Sequence, residues 1–168
     1  SNNVIMDTKL TIDEIELAIV NSGIFNKRSD IIVPNVSWGL LNHEADMVVM
    51  TKSGYLTEIE IKRSWEDFKA DFKKGHGHDD VRIYKLYYCV PVSIRDKVIN
   101  HFKEIYNDMI PGIMTYDDDC NVMIENNSYP YTGGRKLFLE EQLIIARLGC
   151  MRIWNLKQKL VDHEKDNV

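Results

Sequence analysis

The stretch from Ala45 to Lys62 restricts the fold of this chain more than any other part of it. Two runs of alternating, β-favouring residues, Ala45 to Thr51 and Tyr55 to Lys62, flank Lys52-Ser53-Gly54. A three-residue connection with glycine last suits a type I turn followed by a left-handed residue, so the stretch reads as a β-hairpin. Setting Thr51 against Tyr55 fixes the register and brings Asp46 opposite Glu60, with Cβ atoms about 4.5–5.5 Å apart. Alternation then puts Glu44, Asp46, Glu58, Glu60 and Lys62 on one face, and Ala45, Met47, Val49, Ile59 and Ile61 on the other. One face should meet the core, and the other should carry converging carboxylates and a lysine.

The rest of the chain supplies what such a hairpin needs to pack against. With 168 residues, 44% hydrophobic and 28% charged, and only 9 Gly and 4 Pro, it reads as one globular domain, 1–168, and not as a disordered or collagen-like chain. The longest charge-free stretch, Ile31 to Asn42, contains Pro34 and falls far short of the roughly 20 apolar residues of a membrane span. Ser1-Asn2-Asn3 shows neither a basic region nor an apolar leader pattern. Cys89, Cys120 and Cys150 are widely spaced with no Cys-x-x-Cys, so reduced thiols and a cytoplasmic location are expected, with no membrane partner. The net charge of -5 does not itself point to nucleic acid. Charge is nonetheless segregated: Arg135, Lys136, Arg147, Arg152, Lys157 and Lys159 outnumber Glu140 and Glu141 in the C-terminal stretch.

Helix signals frame the hairpin. Thr11 and Glu14 form a capping box ahead of a helix to Asn21, with Ile12, Ile15, Ala18 and Ile19 on one face and Gly23 as the stop. Ile31 to Trp38 is β-rich but holds Pro34, which predicts an edge or bent strand. Ser64, with Asp67 as its capping partner, opens a helix whose stripe is Trp65, Phe68 and Phe72. Tyr84 to Val90 is a further strand, and Ser93 opens a helix reaching about Met109. Ile113 to Tyr116 and Val122 to Glu125 form a small hairpin around Asp117-Asp118-Asp119. Lys136 to Lys159 is amphipathic and reads as one or two helices broken near Gly149. The order α-β-β-β-α-β is a mixed α/β sheet flanked by helices, with a core of about 8–110 and a C-terminal hairpin and helical extension of about 111–168.

Carboxylates gathered on one strand face repel one another and raise each other's pKa unless a cation lies among them. Two carboxylates plus waters suit magnesium or manganese, which keep part of their hydration and complete it with phosphate oxygens. Lys62 shares that face and can orient a water or stabilise charge on phosphate. Asp46 followed by Glu60-Ile61-Lys62 in this order of elements resembles the PD-(D/E)xK nuclease superfamily, with its restriction-endonuclease-like fold. The stretches Glu44 to Val49, Glu60 to Ser64, Asp67 to Asp71 and Tyr87 to Pro91 resemble its MmcB-like DNA-repair branch and related phage proteins. Ala45 stands where the motif's name has proline. The resemblance implies magnesium-dependent phosphodiester hydrolysis, with Asp46, Glu60 and the Ile61 carbonyl on metal and Lys62 at the attacking water.

Many such nucleases add an acid from the first helix. Glu16, beside the Ile12, Ile15 and Ile19 face, is the expected residue, because Glu14 already caps. Lys69 and Lys73 on the second helix, with His76 and His78 in the loop after it, are the expected nucleic-acid contacts, since affinity for nucleic acid comes mostly from cations. Asp67 and Asp71 lie one turn apart and could reach a metal. The expected partner is DNA, with a homodimer open. The competing readings are a non-catalytic nucleic-acid-binding module on the same fold, and a protein-interaction domain whose acidic strand face meets a basic partner.

Overall fold

The computed structural model describes residues 6–36, 39–73, 80–130 and 133–168, with the backbone alone at 72 and 73. The order is α1 (Ile12–Asn21), β1 (Ile31–Val36), β2 (Ala45–Met50), β3 (Leu56–Ile61), α2 (Trp65–Lys73), β4 (Ile83–Pro91), a short 3-10 turn (Val92–Ile94), α3 (Arg95–Tyr106), β5 (Gly112–Tyr116), β6 (Val122–Asn126) and α4 (Leu139–Asp166). Six strands form one sheet in the order β1-β2-β3-β4-β5-β6. Hairpin neighbours run antiparallel, whereas β3, β4 and β5 are parallel and joined through α2 and α3. The result is a mixed α/β sheet with helices on both faces.

The hairpin register is the one the turn chemistry dictates: Met47 pairs with Ile59 and Met50 with Leu56, while Gly54 takes a φ of 84°. On one face, Ile15 and Ile19 of α1 pack over Met47, Val49, Ile59, Ile61, Cys89 and Met114. The opposite face is covered too. Phe68 of α2 and Val98 and Phe102 of α3 pack over Leu86, Tyr88 and Val90, and Ile145 of α4 joins Val48, Met50 and Leu56. The second face is therefore no open carboxylate surface. Its charged residues alternate with apolar ones beneath helices, which is why Glu58, Glu60 and Lys62 are all buried.

Three elements differ from their sequence expectation. Ser93 lies inside the 3-10 turn and does not cap a helix, so α3 starts at Arg95. It ends at Tyr106, before Asn107, whose φ of 56° takes the chain out of the helical conformation. α4 runs unbroken through Gly149 for 28 residues. Gly149 serves packing instead: a Cβ there would sit 3.2 Å from Val33 Cγ2. As Pro34 foretold, β1 is an edge strand, and Arg152 of α4 donates to the Pro34 and Asn35 carbonyls. Among the described residues, no helix is long and apolar enough to cross a membrane.

The end of β3 is pinned by a substitution in the hydrogen-bond ladder. Lys62 N–H donates to the Cys89 carbonyl at 2.9 Å. Continuing a parallel ladder, the amide of residue 91 would serve the Lys62 carbonyl, but Pro91 has no N–H. The Tyr116 hydroxyl fills the gap, donating to that carbonyl at 2.7 Å from a fully buried ring. Tyr116→Phe is expected to cost about 1–3 kcal/mol in urea unfolding, because it strands a buried acceptor. Adding Pro91→Ala, which restores a donor, should shrink that loss; an unchanged loss would contradict the ladder account.

Candidate active site

Beyond the last paired position, Met47 with Ile59, the β2–β3 ladder changes character. Ile61 N–H donates to Asp46 Oδ2 at 2.8 Å, so a side chain replaces the backbone acceptor. This bends the Asp46 carboxylate toward the end of β3 and within hydrogen-bonding range of the Glu60 carboxylate. Lys62 Nζ lies 4.0 Å from Glu60 Oε2 and 3.2 Å from Asp71 Oδ1 of α2. Tyr88 of β4 donates its hydroxyl to the other Asp71 oxygen at 3.2 Å. Asp46, Glu60 and Lys62 thus meet at one sheet end, with Glu16 approaching from α1 closely enough for the Asp46 charge to act on it.

The electrostatics follow from burial. Desolvation pushes the Asp46 carboxyl above its ordinary range, against the opposing effects of the Ile61 N–H and the Lys62 charge. Glu16 is pushed to about 7 by burial, then by the Asp13 and Asp46 charges. Burial alone would lower Lys62, but the charges of Asp71, Glu60 and Asp67 outweigh it and hold the amine above its ordinary value. Lys62 is therefore an ammonium ion at neutral pH. Among the described residues, no group of three or more His, Cys, Asp or Glu side chains forms a ready metal cage. Two converging carboxylates fit an octahedral oxygen-loving ion better than a closed zinc set.

The other expected residues separate. Glu44 is exposed. Glu58 is fully buried and turns to His43, whose Nε2 contacts both carboxylate oxygens while its Nδ1 meets Asn42 Oδ1. Asp67 does cap α2: its N–H donates to Ser64 Oγ at 3.0 Å and its carboxylate accepts from Arg63 N–H. Lys69 pairs with Glu66 at 3.1 Å and lies over the Trp65 ring. Lys73 lies on α2, while His76 and His78 lie outside the described residues. Arg82 is tied to Asp80, and Arg152, part of the basic C-terminal stretch, to backbone carbonyls. Sequence reasoning missed His43, the Tyr88 contact and the Tyr116 brace. Asp71 carried a signal, its one-turn offset from Asp67, but its partner is Lys62.

No family model matches the chain, and no curated protein matches it. Among solved structures it is similar to the SPO1766 protein of unknown function from Silicibacter pomeroyi, with a TM-score of 0.61 and 17% identity, over 93% of this chain and 95% of that one. At that identity the likeness shows the shared fold.

The raised Glu16 pKa has a definite sign for stability. The folded state holds a proton that the unfolded chain releases near 4.5, so stability falls as pH rises from about 4.5 to about 7. Glu16→Gln removes that penalty. Its melting temperature should exceed that of the wild type at pH 8 and match it at pH 4; equal values at pH 8 would show that Glu16 is not held in this field.

Proposed function

We propose that this protein is a metal-dependent nuclease of restriction-endonuclease-like fold that hydrolyses phosphodiester bonds, with DNA as substrate. The observation that carries the reading is the meeting of the Asp46 and Glu60 carboxylates beside a buried Lys62 ammonium at the end of a β-hairpin. The α1-β1-β2-β3-α2-β4 order, with β3 parallel to β4, supports the same reading.

Asp46, Glu60 and the Ile61 carbonyl would hold magnesium or manganese, with Glu16 placed to accept from its waters. The ion, when bound, supplies positive charge against the scissile phosphate. Lys62 contributes a fixed donor. Asp71 and Glu60 hold its amine in a buried position, so its charge is oriented before substrate arrives and costs little reorganisation. An ammonium in that position donates to a water or to a non-bridging phosphate oxygen and stabilises negative charge as it grows. Glu16 near neutrality, and Asp46 above its usual range, are acids that lose protons readily once a cation is present. Lys69, half-buried on α2, is the cation expected to track the backbone, its pair with the exposed Glu66 being weak.

Supercoiled plasmid and single-stranded DNA, incubated with magnesium or manganese, should be cut by the wild type. Lys62→Met and Asp46→Asn should each lower the rate by at least about 100-fold while leaving circular dichroism unchanged. Equal products from wild type and Lys62→Met would refute catalysis. Salt-sensitive binding without any cleavage would favour the non-catalytic nucleic-acid-binding module.

A further inference from the structure

The long C-terminal helix carries more apolar surface than this sheet uses. α4 meets the domain along Ile145, Leu148 and Gly149, and last through Arg152; from Ile153 to Asp166 every residue is exposed. A helical segment that short is marginal in water without a packed face. About a third of a turn away from the packed face runs a second stripe, Leu139, Leu143, Ala146, Cys150, Ile153 and Leu160, at alternating spacings of four and three with Lys157 in the remaining place. That is a coiled-coil seam about 30 Å long. Leu139, Leu143, Ile153 and Leu160 on it, with Trp154 and Val161 at its flank, are 42% to 72% exposed. Together they present on the order of 700 Å² of apolar surface, above what monomers usually leave open and close to the ~800 Å² per partner of a stable interface.

We propose that α4 is a homodimerisation helix, pairing antiparallel with α4 of a second copy about a two-fold axis at Cys150. The stripe is self-complementary in that arrangement. Leu139 meets the partner's Leu160, Ile153 meets the partner's Ala146 as large against small, and Cys150 meets the partner's Cys150. Lys157 falls opposite the partner's Leu143, where its stem covers leucine and its amine reaches toward the partner's Glu140 at the acidic first turn. A parallel pairing would set Lys157 against the partner's Lys157, two like charges in the seam. Opposed helix dipoles also favour the antiparallel form.

Sedimentation velocity on the full chain at micromolar concentration should show a species of twice the chain mass. Ile153→Asp with Leu160→Asp, each repeated by symmetry, should weaken association by more than about 100-fold and give a monomer. Register is read independently of that variant's folding. In a Cys120→Ser background, mild oxidation should join Cys150 to the partner's Cys150. In a Cys120→Ser, Cys150→Ser, Leu160→Cys background it should give no covalent dimer. A monomeric wild type, a dimer that survives the double aspartate variant, or covalent dimer through position 160 would each overturn the proposal.

Discussion

The site depends on one buried ammonium ion. Lys62 lies almost wholly out of water, a position a lone charge could not hold without heavy cost. It is sustained by Asp71 from α2 and Glu60 from its own strand, and their attraction outweighs its desolvation. The same charge moderates the neighbouring acids: without it, Asp46 would be displaced further upward. The hairpin, α2 and β4 meet where they do so that this ion has partners, and the Tyr116 brace keeps its backbone in register where Pro91 interrupts the ladder.

Around that ion the molecule divides its carboxylates by depth. Glu58 and Glu60 are two residues apart on one strand face, yet one is sealed against His43 and the other stands at the strand end beside Asp46. Position along β3 decides this. Val48, Met50 and Leu56 close over the middle of the face with Ile145, whereas at its end Lys62 meets Asp71 of α2. An acid in the middle must find a fixed internal partner; an acid at the end can answer to a cation that comes and goes.

The hairpin register was legible because two short-range rules agree: Gly54 demands a left-handed turn, and alternation separates apolar from charged residues. The meeting of Asp46 with Glu60 followed from that register. The Thr11 and Ser64 caps were legible for the same reason, since each is satisfied within one turn. What was not legible depends on contacts between distant segments. Nothing near His43 in sequence marks it as Glu58's partner, and Tyr116 finds Lys62 only because β4 lies between β3 and β5. Glycine is ambiguous in the same way. At Gly149 it permits close approach of α4 to β1, and no local pattern separates that from a helix stop.

The claim on which the functional reading rests is that Asp46 and Glu60 form one divalent-cation site. Electron paramagnetic resonance of added manganese tests it without reference to turnover. The account predicts saturable binding that Asp46→Asn and Glu60→Gln each weaken severely and that weakens as pH falls through the range in which Glu16 gains its proton. Manganese binding that is absent in the wild type, or that persists unchanged in both variants, would contradict it.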